Sequence, residues 1–332
     1  MLKRILIITG AAFFLALAIT CVTASVAKAN GGPHGDYSTT TDACAGCHRT
    51  HTAQGPRLLI QNSEYALCTT CHGTGATGAN TNVNDGVYLV RGSSTTGVLS
   101  STVNGPLIAG GFVNYKGAAV TSIHDAAAGT INSAWGISGT NRGQLGTMAA
   151  GLSCSACHNP HGSTNYRIIN TNINGITITV SQVDEGAVKN YTQEHWSADV
   201  SNTCDGCHKT YHVTTSGSGH DPTMVASGGY THRVDSTSSK AAVLQTTGWS
   251  KGDGVTVTMP FASQYLTSTA FTDDRLIVCE TCHLVHGSSS VMTGFANGGP
   301  TGTGGLPGNT TSGDSALLRL DNRGVCEACH QK

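Results

Sequence analysis

Six short stretches of this sequence share one arrangement, in which two cysteines separated by two residues are followed at once by a histidine. This Cys-x-x-Cys-His spacing is the attachment signature of c-type haem. The two thiols bind the porphyrin through thioether bonds, and the adjacent histidine gives one axial nitrogen to the iron. Six copies therefore predict six covalently attached c-type haems. The predicted attachment residues are Cys44, Cys47, Cys68, Cys71, Cys154, Cys157, Cys204, Cys207, Cys279, Cys282, Cys326 and Cys329, and the predicted proximal ligands are His48, His72, His158, His208, His283 and His330.

Two other interpretations of the cysteines compete with haem. Cys44, Cys47, Cys68 and Cys71 have the separation of a four-cysteine zinc site. Zinc, however, has no need of a histidine directly after every second cysteine, and all six copies have one. A redox Cys-x-x-Cys motif lies near a strand–helix–strand pattern, and no such pattern surrounds any copy. The spacing favours haem over both.

Each predicted haem iron has a second axial position for another side chain. Nine of the 15 histidines lie outside the motifs, and their methionine competitors are Met148, Met224, Met259 and Met292. This supply of histidine predicts two histidines on every iron, which gives lower reduction potentials than one histidine and one methionine. The first candidates for the second ligand are His51, His124, His161, His212, His232 and His286, with His34, His195 and His220 in reserve.

Three motifs continue into a second histidine, at His48/His51, His158/His161 and His283/His286. On a helical turn, residues three apart lie on the same side, roughly 5–6 Å apart at Cβ. The second histidine then cannot reach the far face of its own haem, so we expect it to bind the iron of another haem. The alternative is an exposed histidine or one that bonds a haem propionate.

Residues 1–29 predict a secretory signal, with a charged start at Lys3 and Arg4, an apolar segment over 5–19 and an Ala-Lys-Ala cleavage site at 27–29. Cleavage removes Cys21 and leaves twelve of the 13 cysteines, two for each motif. The alternative is that Cys21 is lipidated, but Thr20 is a poor residue before such a site. No later run reaches the ~18 apolar residues of a spanning helix. We therefore expect a soluble secreted protein without a membrane span, which passes through the periplasm to the outer surface or the extracellular space.

The remaining chain, residues 30–332, offers roughly 50 residues per motif, whereas a domain usually needs about 100. We therefore expect one hexahaem cytochrome domain in which the haems pack on one another. Aromatic residues make up 5% of the chain and glycine 43 of its 332 residues, so the polypeptide alone builds a weak core. The predicted fold is mostly irregular coil with short helices and a few short β-strands, wrapped around six stacked c-type haems.

Local patterns refine this fold prediction. Short helical turns should carry the motifs, and segments 175–180 and 255–259 alternate as strands do. Segment 85–151 has the composition of loops with short strands, and the uncharged, glycine-rich segment 288–313 that of a loop or packed coil. Charged residues are only 11% of the chain, with 18 basic against 19 acidic. This balance argues against a nucleic-acid partner, which needs a basic face.

The motifs in order resemble those of the hexahaem extracellular c-type cytochrome filament (nanowire) family. The resemblance rests on the stretches CAGCHRTH, CSACHNPHG, CDGCHKTYH, CETCHLVHG and CEACHQK and covers the haem-binding framework rather than the loops between. It implies a polymer in which the histidine after the first motif, here His51, binds a haem of the adjacent subunit. That haem is expected to be the fifth, attached at Cys279 and Cys282.

The resemblance and the predicted closed iron sites together favour an electron carrier or conduit over an enzyme. We expect electron transfer through six bis-histidine haems in a head-to-tail homopolymer. The expected partners are outer-surface or periplasmic electron-transfer cytochromes and extracellular acceptors such as metal oxides. A monomeric periplasmic carrier is one alternative. A multihaem reductase of small nitrogen or sulfur oxyanions is another, and it would need an open iron site with ionisable groups around it.

Overall fold

Short elements separated by long irregular segments make up this fold. The computed structural model describes residues 34–35, 42–76, 79–89, 103–127, 152–181, 198–208, 234, 249–250, 256–257, 262–263, 275–292, 315–322 and 324–330. The α-helices in these ranges are α1 (Asp42–Ala45), α2 (Glu64–His72), α3 (Cys154–Cys157), α4 (Asn202–Asp205), α5 (Cys279–Cys282) and α6 (Gly324–His330). Short 3₁₀ turns span Pro56–Leu58, Tyr166–Ile168 and Ala198–Ser201.

The strands are two to four residues long and pair only in antiparallel fashion. They are β1 (Thr81–Asn82), β2 (Val87–Leu89), β3 (Val103–Pro106), β4 (Asn114–Tyr115), β5 (Ala118–Ala119), β6 (Ser122–Ile123), β7 (Asn172–Ile173), β8 (Ile176–Thr177), β9 (Trp249–Ser250), β10 (Thr256–Val257), β11 (Ala262–Ser263), β12 (Arg275–Leu276) and β13 (Gly287–Ser288). Strands β1, β2 and β3 form a sheet in that order, and the others pair as β4–β5, β6–β13, β7–β8, β9–β10 and β11–β12. The prediction of mostly coil with short helices and strands is confirmed for the described residues.

Segments 175–180 and 255–259, which the alternating sequence pattern predicted as strands, both contain strands. In the first, β8 pairs with β7 across Asn174 and Gly175, which have φ of 49° and 87°. Positive φ at both central residues is the type I′ turn that Asn-Gly favours, so local sequence closes this hairpin. In the second, β10 pairs with β9. Both strands are shorter than the alternation alone suggested.

Three small apolar clusters form the described core, and the smallest contains Tyr88 and Leu107. Of the other two, the first contains Tyr166, Ile173, Ile178, Val180, Val200 and Val278, and the second contains Val234, Ile277 and Val325. Cysteines of the haem motifs pack against these two, Cys207 on the first and Cys279 and Cys282 on the second. These three attachment cysteines are therefore held at the edges of the core.

Helix α2 carries the second motif and is capped at its N-terminus. The Ser63 hydroxyl accepts a hydrogen bond from the Ala66 N–H, and Glu64 lies in the first turn, where a carboxylate is favourable. The helix continues through His72. Helix α6 likewise includes the whole sixth motif. Within the described residues, no helix is both long enough and apolar enough to cross a membrane.

The expectation of a helical turn across both histidines of the first, third and fifth motifs is wrong. Helices α3 and α5 end at the second cysteine, and the next residues, His158 and His283, have extended backbone (φ −110° and −115°). Helix α1 ends earlier still, at Ala45. The reason is that each motif histidine forms an antiparallel β-bridge with a residue of a later segment, which takes it out of the helix. The spacing of three residues therefore does not place the two histidines on one helical face.

Candidate haem sites

The first, third and fifth motifs share one local structure, which we call a cassette. Cassette 1 is residues 44–60, cassette 3 is residues 154–170, and cassette 5 consists of residues 279–292 with 315–319. In each cassette the motif histidine forms an antiparallel bridge with a later residue, His48 with Leu59, His158 with Ile169 and His283 with Leu318. This bridge draws the histidine out of the helix and folds the chain back over the motif.

Each cassette turns back through two consecutive left-handed residues that are not glycine. The pairs are Arg57 and Leu58 (φ 59° and 61°), Arg167 and Ile168 (φ 56° and 53°), and Ala316 and Leu317 (φ 50° and 60°). Such residues cost free energy and persist only where their surroundings hold them in place. Since the same costly turn occurs three times, it is a built feature of the cassette.

The turn aims a backbone carbonyl at the motif histidine. The Nδ1–H of His48 donates to the Arg57 carbonyl at 2.9 Å, and the Nδ1–H of His158 donates to the Arg167 carbonyl at 2.9 Å. His283 makes the matching bond to the Ala316 carbonyl, also at 2.9 Å. A carbonyl can only accept, so the proton is on Nδ1 and the lone pair is on Nε2. This is how proteins orient a histidine that binds a metal.

Other motif histidines and loop histidines are held in a similar way. Nδ1 of His72 lies 2.8 Å from the Thr81 hydroxyl. His34 and His124 donate from Nδ1 to the carbonyls of Pro160 and Val285, at 2.9 and 2.6 Å. Pro160 and Val285 occupy the same cassette position, directly before the second histidine. The carbonyl bonds of His34 and His124 again leave Nε2 available to a metal.

Eight histidines form four pairs with nearly the same spacing between ring centroids. The pairs are His48 with His161 at 6.1 Å, His72 with His34 at 6.1 Å, His208 with His124 at 6.2 Å and His158 with His286 at 6.4 Å. Every pair joins one motif histidine to one histidine outside the motifs. A metal–imidazole bond is about 2 Å long, so two rings on opposite sides of one iron have centroids roughly 6 Å apart. The pairs fit a haem iron between their rings.

Burial favours the neutral form of six motif and loop histidines. It lowers the pKa of His286 to about 3 and that of His208 to about 4, and it lowers the pKa of His72, His124, His158 and His283 as well. A neutral imidazole is the form that binds a metal. The zinc alternative finds no support in the described ranges, because no three His, Cys, Asp or Glu side chains there cluster as metal ligands.

Cysteines of successive motifs also lie next to one another. The Cys68 and Cys154 thiols share a hydrogen bond, as do those of Cys204 and Cys279. Cys47 interacts electrostatically with Cys71, and Cys157 with Cys207. Burial, followed by Cys207, raises the pKa of Cys157 to about 12. Motifs one to five are thus neighbours in sequence order.

The predicted second ligands differ in their surroundings. His161, His124 and His286 each face a motif histidine, and so does His34, which the sequence had placed only in reserve. His51 is exposed, and no histidine of the described ranges faces its ring. The residues His195, His212, His220, His232, Met148, Met224 and Met259 lie outside the described residues, as do the side chains of Cys329 and His330.

Sequence reasoning missed the pairing of His34 and the three carbonyls that hold the motif histidines. A signal for His34 was present, since it precedes the first motif as His124 precedes the third. The carbonyl acceptors leave no signal in residue type, because Arg57, Arg167 and Ala316 act through the backbone.

Two comparisons with known proteins found a similarity. A family model described as "Doubled CXXCH motif" matches residues 37–77 and 146–176, which contain cassettes 1 and 3. The chain carries the paired haem-attachment motif of multihaem cytochromes. Among solved structures it is similar to the outer membrane cytochrome S filament from Geobacter sulfurreducens, with 18% identity and a TM-score of 0.40 over 87% of this chain and 98% of that one. No curated protein matches the chain. The resemblance noted in the sequence is confirmed as a resemblance.

Proposed function

We propose that this protein is an extracellular multihaem cytochrome that conducts electrons through six c-type haems, each bound by two histidines, in a head-to-tail polymer. The observation that carries the proposal is the spacing of the four histidine pairs, 6.1–6.4 Å between centroids. A pair that fills both axial positions of an iron leaves no position for a substrate. The arrangement therefore suits electron transfer better than catalysis on a bound molecule.

The histidine pairs assign ligands to four of the six haems, numbered by motif. Haem 1 would be held by His48 and His161, haem 2 by His72 and His34, haem 3 by His158 and His286, and haem 4 by His208 and His124. Haems 5 and 6 would take His283 and His330 as proximal ligands. Their second ligands are His51 of a neighbouring copy for haem 5, and His212 or His232 for haem 6.

When bound, haem c supplies reversible one-electron transfer, and the chain supplies position and surroundings. The Nδ1–carbonyl bonds of His48, His158 and His283 fix each ring with its Nε2 free. The two cysteines of each motif would hold one edge of the porphyrin through thioether bonds. Burial around His158 and His286 excludes water from the ligands.

The cysteine contacts support a linear order of haems. Thiols of neighbouring motifs interact at four junctions, by a hydrogen bond between Cys68 and Cys154 and between Cys204 and Cys279, and electrostatically between Cys47 and Cys71 and between Cys157 and Cys207. Since each thiol would bind one edge of a porphyrin, these junctions would bring the edges of consecutive porphyrins near one another. We infer that electrons pass haems 1 to 5 in the order of their motifs.

The polymer follows from the pattern of second ligands in the cassettes. His161 of cassette 3 faces the motif histidine of cassette 1, and His286 of cassette 5 faces that of cassette 3. Each cassette thus completes the one before it. By this pattern the motif histidine of cassette 5 would need a second histidine from a further cassette. Cassette 1 of another copy could supply it, because no histidine of the described residues faces its second histidine, His51. A head-to-tail contact that does not close into a ring builds a filament.

Location and partners follow from the predicted export signal. We propose that the polymer lies outside the cell or at its outer surface, receives electrons from periplasmic or outer-surface cytochromes and delivers them to acceptors such as metal oxides. A monomeric periplasmic carrier would use the same haems without the cassette 5 to cassette 1 contact. A reductase would need one iron without a second protein ligand.

Three measurements on the secreted protein test the proposal. Mass spectrometry should find six covalently attached haems, absorption and electron paramagnetic resonance spectra should show only low-spin iron, and electron microscopy should show filaments. Fewer than six haems would overturn the cofactor assignment. A high-spin haem in the polymer would favour the reductase, and single particles in place of filaments would favour the monomeric carrier.

A further inference from the structure

One position in the cassettes carries a different kind of residue in each copy. It is the residue whose backbone N–H donates to the carbonyl of the second motif cysteine, Ile60 to Cys47, Asn170 to Cys157 and Arg319 to Cys282. The backbone geometry is shared, with N···O distances of 3.1, 2.8 and 2.9 Å. The side chains are apolar, polar and cationic in turn. The fold therefore does not require a charge here, and the charge of Arg319 needs another explanation.

The guanidinium of Arg319 is fixed beside the motif histidine of cassette 5. Its Nη2 donates to the carbonyls of His283 and Glu280 at 3.1 and 2.6 Å, and its Nη1 donates to the carbonyl of Ile108 at 3.0 Å. Its Nε is buried and has no hydrogen-bond partner in the described structure. Because carbonyls are neutral, these bonds hold the positive charge in place without cancelling it.

Other charged groups around Arg319 are few in the described residues. Glu280 is 7% exposed, its Oε1 lies 3.9 Å from Cys204 Sγ, and its carboxylate is close enough to counter in part the lowering of the Arg319 pKa by burial. Lys116 is exposed, with its Nζ 5.5 Å from the Tyr115 ring centroid, so solvent screens its charge. Tyr115 hydrogen-bonds Arg319, and burial raises the pKa of Tyr115, which keeps it neutral. Arg319 is thus a half-buried cation, with its Nε fully buried, whose guanidinium contacts the backbone of His283 directly.

A fixed cation near a haem changes the free energy of oxidation. Ferric haem has one more positive charge than ferrous haem, so a nearby cation destabilises the oxidised form more. A buried charge is screened less than an exposed one. Surrounding charge and hydrogen bonds outside the ligands are the usual means by which a protein tunes a metal site.

We propose that Arg319 raises the reduction potential of the haem that His283 holds. This inference depends on the proposed function, since it needs a haem at the fifth motif. Arg319 acts through charge at a distance and is a positioning and tuning residue, not a ligand. It makes haem 5, whose second ligand would come from the next copy, more readily reduced than it would be with a neutral residue.

The experiment compares Arg319→Gln, which removes the charge, with Arg319→Lys, which keeps it. Each purified variant is first checked for six haems by mass spectrometry and for low-spin iron, and then titrated by spectroelectrochemistry. Arg319→Gln should lower the midpoint potential of one haem out of six, and Arg319→Lys should lower it less. A tenfold change in the one-electron equilibrium corresponds to 59 mV, which sets the scale of the titration. Ile60→Gln, a neutral change at the matching position of cassette 1, should shift the potential of haem 1 less than Arg319→Gln shifts that of haem 5.

The outcomes separate this inference from the proposed function. A wild-type protein with fewer than six haems or with high-spin iron would refute the function itself. Six low-spin haems with the same titration curve in Arg319→Gln would overturn only the tuning role. Loss of haem from both Arg319 variants would assign the residue a structural role and would also overturn the tuning role.

Discussion

Cassettes 1 and 3 have the same local structure but different surroundings. In both, the motif histidine donates to a carbonyl nine residues later, through the same left-handed turn. In cassette 3 the second histidine, His161, faces His48 of cassette 1. Both second histidines are exposed, but no histidine of the described residues faces His51 of cassette 1.

The residues that follow these two histidines also differ in how closely they pack against the rest of the chain. Gly162 follows His161 and packs so closely that a Cβ there would lie 2.8 Å from the His34 carbonyl oxygen. Thr52 follows His51 and is exposed. Local sequence therefore builds each cassette by itself, whereas the use of its second histidine depends on a preceding cassette. Cassette 1 has none within its own chain, which is why we propose that it meets cassette 5 of another copy.

The largest effect that tests this comparison is expected from His51→Ala. We expect six haems to remain attached, because His51 is in no attachment motif, and filaments to disappear, because the contact between copies loses its ligand. One haem per chain should become high-spin. Electron microscopy, haem counting by mass spectrometry and electron paramagnetic resonance measure these three results.

His161→Ala is the matched control for that prediction. It removes the equivalent histidine from cassette 3, so one haem should again become high-spin while filaments still form. Filaments in His51→Ala, or their loss in both variants alike, would contradict the distinction between the two cassettes.

A second prediction tests whether the left-handed turn is what holds the cassette. Leu58 has a φ of 61°, whereas proline is restricted to about −65°. Leu58→Pro should therefore break the turn, release the Arg57 carbonyl from His48 and cost about 3 kcal/mol in the free energy of unfolding. Leu58→Gly is the control, because glycine accepts positive φ and should change stability by less than about 1 kcal/mol. Denaturant unfolding measures both, and equal losses in the two variants would count against the turn.

The sequence predicted the parts of the site that depend on residue type and short spacing. Six attachment motifs, the short helices and the strands at 175–180 and 255–259 all follow from local patterns. The hairpin at Asn174 and Gly175 is the simplest case, since the turn requires positive φ and those residue types supply it. The nine histidines outside the motifs also predicted that the second ligands are histidines, without saying which histidine binds which iron.

The pairing of individual histidines could not be predicted in this way, because it depends on contacts between distant segments. His34 is held by the carbonyl of Pro160, 126 residues away, and His124 by that of Val285, 161 residues away. The left-handed turns also gave no signal, since Arg57, Leu58, Arg167 and Ile168 are not residues that favour positive φ. In cassette 5 the turn comes 33 residues after the histidine instead of nine, which hid the repeat.

A third prediction concerns the contact between the second and third motifs. The Glu64 carboxylate accepts hydrogen bonds from the Ser155 N–H and from the Ser155 hydroxyl, so α2 is tied to the first turn of cassette 3. Hydrogen bonds to a charged group contribute more than neutral ones, and Glu64 is half-buried. Glu64→Ala should cost about 1.5 kcal/mol in the free energy of unfolding. Ser201→Ala removes a neutral bond to the Cys279 N–H at the junction of the fourth and fifth motifs and should cost less. The reverse order would contradict the role of charge.

The smallest expected effect comes from making cassette 5 resemble cassettes 1 and 3. The Ala316 carbonyl reaches His283 from 33 residues along the chain, although nine suffice in the other two cassettes. Replacing residues 293–314 with a short glycine–serine linker keeps both halves of the cassette. The cost of closing a loop grows with the logarithm of its length, so the shorter chain should gain about 1 kcal/mol in stability. Haem counting and denaturant unfolding test this, and loss of the fifth haem would show that residues 293–314 take part in the site.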